Sequence, residues 1–165
     1  MINRLLFALD QFDSGQTALG FTTELAMASG ADVRVFHARE LSRFTRVPPI
    51  ERPTDAQLLV EEAVLQLRMA GIGAEGLTIS VLKDQVASRV VQESIEWRCD
   101  AIILGSRRLR GISRLAGWKV RERVLRSSPL PVITAPTAVP NGVHSPRSLR
   151  GSAIDNLDLV RFQLE

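Results

Sequence analysis

The chain predicts an α/β fold: an open, all-parallel sheet of five strands in the order 3-2-1-4-5, with helices on both faces in three layers. Three observations predict it. Short apolar runs alternate with segments of helical period from one end of the first 136 residues to the other. The runs Leu5–Leu9 and Ala101–Leu104 are continuously apolar, as strands covered on both faces must be. Finally, Asp10 and Gly105 each close a strand. If strands one and four are neighbours, both residues face the crevice where the winding of such sheets reverses.

The elements follow in order. Leu5-Leu6-Phe7-Ala8-Leu9 reads as the first strand and ends at Asp10. Asp13 and Ser14 offer N-caps to a helix carrying Ala18, Phe21, Leu25 and Ala28, which Gly30 stops. Val33, Val35 and Phe36 mark the second strand, ending near His37-Ala38-Arg39. Residues 40–53 form a polar, proline-bearing loop. Thr54 and Gln57 have capping-box spacing, and the helix they open presents Leu58, Leu59, Ala63, Leu65 and Met69 before Gly71. Residues 77–82 make the third strand. Ala87, Val90, Val91 and Ile95 line the third helix, and residues 101–104 are the fourth strand. Leu115, Val120, Val124 and Leu125 line the last helix, before a fifth strand at Val132-Ile133-Thr134.

The domain is read as residues 1–136. Residues 137–165 read as an extension, first loop-like through Pro140, Asn141-Gly142 and Pro146, then weakly strand-like through Val160, Phe162 and Leu164. No apolar run approaches the ~20 residues that cross a bilayer, and the opening residues lack a signal-peptide pattern. Cys99 is the single cysteine, which excludes an internal disulfide and a thiolate-rich metal site. A reduced, cytoplasmic setting is the expectation.

Charge is concentrated. Between Gly105 and Arg126 stand eight basic residues and one acid, Glu122, a local charge of +7 in a chain of net +3. The remainder therefore sums to −4. Such a stretch suits an anionic ligand, an acidic partner or a nucleic acid. It follows the fourth-strand turn at Gly105, and a strand, a turn and a helix N-terminus together can hold an anion. Nucleic acid is the disfavoured partner, because the segment holds one aromatic and no recognised binding module.

Leu5-Leu6-Phe7-Ala8-Leu9-Asp10, Val35-Phe36-His37-Ala38, Asp100-Ala101-Ile102-Ile103-Leu104-Gly105-Ser106, Arg121-Glu122-Arg123-Val124-Leu125-Arg126 and Ser128-Pro129-Leu130-Pro131-Val132 stand in sequence at characteristic spacing. Together they resemble the universal stress protein family over roughly residues 2–136. The resemblance implies a Rossmann-like fold and a non-enzymatic role in stress response. It also implies homodimerisation through the last strand, Val132–Thr134. Its ATP-binding members carry Gly-x-x-Gly, nine residues, then Gly-Ser or Gly-Thr. Here Gly105 holds the first position, Arg108 the second, and Trp118-Lys119 the final pair, with Gly117 one residue early. Glycine lets backbone approach phosphates at positive φ; Arg and Trp side chains fill that space. The expectation is a degenerate nucleotide site and no bound cofactor, with action through a regulatory protein partner. If a nucleotide such as ATP is retained, the residues implied are Asp10, Ala38, Gly105, Arg107, Arg108, Lys119 and Val120, with arginine forks replacing backbone N–H groups.

Other chemistries find less support. Asp10 and Asp13 also suit a receiver domain, and Lys83-Asp84 half-offers its third-strand aspartate, but Ala135-Pro136 stands where its lysine is needed. His37 lacks partners at metal-ligand spacing, and His144 lies in the extension. Ser106 has no base partner, so no catalytic residue is assigned. Val160, Phe162 and Leu164 are expected to dock on a sheet edge or a partner subunit, because exposure forgoes roughly 1.5–3 kcal/mol for each such side chain.

Overall fold

The computed structural model describes residues 1–10, 13–41, 51–105 and 114–136, without the side chains of 13–15 and 114–119. Five strands, β1 (Arg4–Ala8), β2 (Asp32–Leu41), β3 (Ala74–Leu82), β4 (Ala101–Leu104) and β5 (Val132–Thr134), form one sheet in the order β3-β2-β1-β4-β5. Every pairing is parallel. Helices α1 (Asp13–Ser29) and α2 (Pro53–Met69) carry the chain leftward from β1 to β3. A 3₁₀ turn (Lys83–Gln85) and α3 (Val86–Glu96) carry it back to β4, and α4 (Arg114–Ser127) carries it on to β5. Right-handed crossovers therefore place α1 and α2 on one face and α3 and α4 on the other.

Alternation within the buried strands divides the core into two halves. Leu5, Phe7, Val33, Val35 and Ile103 meet the α1–α2 layer. Leu6, Phe36, Ile102 and Leu104 meet Val90 and Val91 of α3 and Val124 of α4. At the sheet's lower end, the Asp100 carboxylate accepts from the Asn3 and Arg4 backbone N–H groups at 2.6 and 2.9 Å. These bonds, with burial opposing them, hold its pKa below the usual value. Gly30 and Gly71 follow α1 and α2 at φ +71° and +80°, the left-handed conformation that ends helices.

Several expectations about the elements need correction. β3 begins at Ala74, three residues before Leu77, where the sequence places its start, because Val33 N–H donates to Gly73 O at 2.8 Å and starts the pairing early. The Thr54–Gln57 capping box does not form. Pro53 opens α2 behind Arg52, with no side-chain cap, and Gln57 instead donates to Glu61 at 2.8 Å. Proline suits that first position because its missing N–H would have gone unbonded.

α2 also turns a different face inward. Ala56, Val60, Ala63, Val64 and Leu67 are buried, whereas Leu58, Leu65 and Met69 are exposed. The reason lies in β3. A Cβ on Gly76 would stand 2.4 Å from Val60 Cγ1 and 3.1 Å from Val64 Cγ2, so helix and strand approach closely where these two valines face the glycine. Ile95 and Leu125 are likewise exposed, at 53% and 50%, with Val90, Val91 and Val124 taking the inner positions.

Candidate functional site

The crevice is set by register. Ala8 pairs with Phe36 on one side and Leu104 on the other. Asp10 and Gly105 thus lie just beyond the same rung of two neighbouring strands, at the point where the winding reverses. That is the placement the sequence predicts, and ligands in open α/β sheets bind there.

β1 and β2 part at this rung. Leu9 N–H still donates to Phe36 O at 2.9 Å, but Leu9 O is taken by the His37 ring, Nδ1 at 2.8 Å. Backbone groups two residues apart point the same way, so Ala38, like Phe36, turns its N–H and C=O toward β1. Beyond Leu9 that direction is the crevice. A flat heterocycle could meet the Ala38 backbone there, as the sequence suggests. The Ala38 side chain packs against the α3–α4 core with Val120.

His37 is 4% exposed, and its Nε2 lies 2.8 Å from Glu51 Oε2, itself in a residue 9% exposed. Arg39 Nη1 donates to Glu51 O at 3.3 Å. The histidine therefore ties the end of β1, the middle of β2 and the approach to α2 into one unit. Its role is structural, and Glu51 is a residue sequence reasoning missed. Fourteen positions separate it from His37, inside a segment that reads as undifferentiated polar loop, so no spacing signal marks it.

The anion side of the crevice depends on α4. Its first residue is Arg114, so Trp118 and Lys119 are its fifth and sixth. Only the first four N–H groups of a helix, the cap's and those of its first three residues, lack intrahelical acceptors, so in α4 they end at Ala116. Residues 118 and 119 sit past that turn. Further along, Arg126 pairs with Glu122 at 2.6 Å, and Arg123 is exposed and donates to Asp84 O at 3.3 Å. Arg107 and Arg108 lie outside the described residues, as does the Lys119 side chain.

Of the residues that suited a receiver-type cluster, the Asp13 side chain lies outside the described ones. Lys83 pairs with Glu40 at 3.7 Å, and among the described residues no three His, Cys, Asp or Glu side chains group for a metal. Cys99 is buried, and burial pushes its thiol up to about 12. No described helix is long and apolar enough to cross a membrane.

An open α/β sheet with a crevice at its winding reversal, an acidic turn after β1 and a glycine after β4 defines a Rossmann-like architecture. Comparison with known proteins makes this specific. The universal stress protein family model matches residues 1–136. The chain belongs to that family. A Thermus aquaticus protein named "Universal stress protein in QAH/OAS sulfhydrylase 3'region" is 27% identical over 134 residues, covering 81% of this chain and 98% of that one. Among solved structures, a universal stress protein family member from Burkholderia pseudomallei superposes with TM-score 0.66 at 21% identity, covering 82% of this chain and 96% of that one. A universal stress protein from Archaeoglobus fulgidus, solved in complex with dAMP, superposes with TM-score 0.61 at 25% identity, covering 82% and 100%.

Proposed function

We propose that this universal stress protein has a degenerate nucleotide crevice and acts in stress response as a regulatory protein, through protein contacts and without turnover. The observation carrying this reading is the position of Trp118 and Lys119 within α4. At the fifth and sixth helical positions their backbone N–H groups already have intrahelical acceptors, so they have none to offer a phosphate. The same positions carry an indole and an ammonium where the nucleotide-binding pattern has glycine and a hydroxyl. Arg121, Arg123 and Arg126 support a surface role for the basic helix, since they lie along its outer part with Val124 turned inward. The proposal includes a cytoplasmic setting and a homodimer paired through β5. With a three-residue strand, that pairing relies on side-chain burial as much as on backbone bonds.

The second reading is an adenine-nucleotide sensor, with ATP held by Asp10, the Ala38 backbone, Gly105 and the arginines 107 and 108. The outward-turned backbone of Ala38 favours it, as does the dAMP complex of the Archaeoglobus fulgidus relative. Mass spectrometry of small molecules retained by the purified protein separates the two. The degenerate reading expects no stoichiometric nucleotide. Co-purified adenine nucleotide at near one equivalent would establish the sensor in its place.

A further inference from the structure

β3 is an edge strand nine residues long, against three for β5 at the other edge. Val33 N–H donates to Gly73 O, so the odd-numbered residues of β3 turn their backbone groups toward β2. Those of Gly76, Thr78 and Ser80 therefore point outward, and among the described residues no strand pairs with them. Long open edges invite pairing with other chains, and native proteins close or blunt them.

A groove of about 660 Å³ runs along this edge beneath α2, lined by Arg39, Val60, Glu61, Leu65, Arg68 and Thr78 among others. Two guanidinium groups mark its ends. Arg39 Nε donates to Ser80 Oγ at 3.0 Å, and Arg68 Nε donates to Ala74 O at 2.9 Å. On the sheet's other face, Leu77 and Ile79 are only partly buried. The edge therefore offers an apolar row on one face and a charged groove on the other.

We propose that residues 157–165 of this chain add to the sheet as a sixth strand, antiparallel to β3. Their nine residues match the nine of β3. Opposed end to end, Val160 and Phe162 stand across from Ile79 and Leu77, extending the apolar row. Arg161 and Glu165 stand across from Thr78 and Ala74 on the groove face, where Glu61 and Arg68 supply the opposite charges. A slip of one residue would exchange the two faces and lose both matches.

Reach permits the arrangement. The sheet's four strand spacings amount to roughly 19 Å. The twenty residues 137–156 can span up to about 66 Å. The arrangement also closes the assembly. A chain that pairs with a second copy through β5 must block β3, because two open edges on one sheet propagate into a ribbon.

Amide hydrogen exchange followed by NMR tests this in the full chain, in a variant lacking residues 155–165, and in Phe162→Asp. The full chain should protect Gly76, Thr78 and Ser80 at least about tenfold over the two variants, at a level independent of protein concentration. Leu6 and Ile102 amides should stay protected in all three, reporting an intact core. Fast exchange at the three edge amides in the full chain overturns the proposal, and so does protection that survives both variants. Protection that grows with protein concentration also overturns it, by assigning the edge to a second copy.

Discussion

Replacing His37 with phenylalanine tests whether the crevice is built as described. The substitution preserves most of the ring volume but removes two bonds of 2.8 Å, one to Leu9 O and one to Glu51 Oε2. Both histidine and glutamate are nearly buried, at 4% and 9% exposure. A buried carbonyl left without a donor costs about 1–3 kcal/mol. The Glu51 carboxyl left without its hydrogen-bond partner adds a similar amount, for about 2–6 kcal/mol together. The Glu51 backbone keeps its bond from Arg39, and Glu51 can turn toward water, so the lower half of that range applies, about 3 kcal/mol. That corresponds to a fall in Tm of roughly 6–12 °C for a domain of this size. Urea denaturation and thermal circular dichroism measure it. Adding Glu51→Leu should recover at least about 1 kcal/mol, because the orphaned carboxylate is gone, and the two sites should therefore be non-additive. A His37→Phe protein within about 0.5 kcal/mol of the parent, or strictly additive losses, would refute the reasoning.

Two further outcomes follow from charge and burial. The Cys99 thiol, pushed up to about 12 by burial, should resist a thiol reagent such as dithionitrobenzoate at pH 8 in the native protein and react stoichiometrically in denaturant; rapid native labelling would contradict its placement. Asp100 has a lowered pKa, so its contribution is present above the unfolded-state value of about 3.9 and is lost as pH falls through the lower folded value. Asp100→Asn should therefore narrow its stability gap to the parent at pH 2–3 compared with pH 7, read from denaturation midpoints; an unchanged gap would show that the carboxylate's charge plays no part.

Much of the fold was legible because strand and helix periods alternate cleanly. The continuous apolar runs at Leu5–Leu9 and Ala101–Leu104 signal strands buried on both faces, and β1 and β4 are such strands. Gly30 and Gly71 were legible as helix stops because their positive φ needs glycine. The inward face of α2 was not. Leu58, Leu65 and Met69 make as strong an apolar row as Val60, Val64 and Leu67, yet the face that closes on Gly76 is the one carrying Val60 and Val64. The position of Asp10 and Gly105 at one crevice followed from topology. Glu51 did not, since its partnership with His37 exists only once the chain has folded back over β2.

Isothermal calorimetry with Mg-ATP tests the central claim most directly, on the parent and on a variant carrying Arg108→Gly, Trp118→Gly and Lys119→Ser together. The degenerate-site account predicts no parent binding tighter than about millimolar, roughly −4 kcal/mol. It predicts measurably tighter binding in the triple variant, whose glycines loosen the turn that α4 now occupies in regular helical form. A micromolar constant for the parent would contradict the account and establish the protein as an adenine-nucleotide sensor.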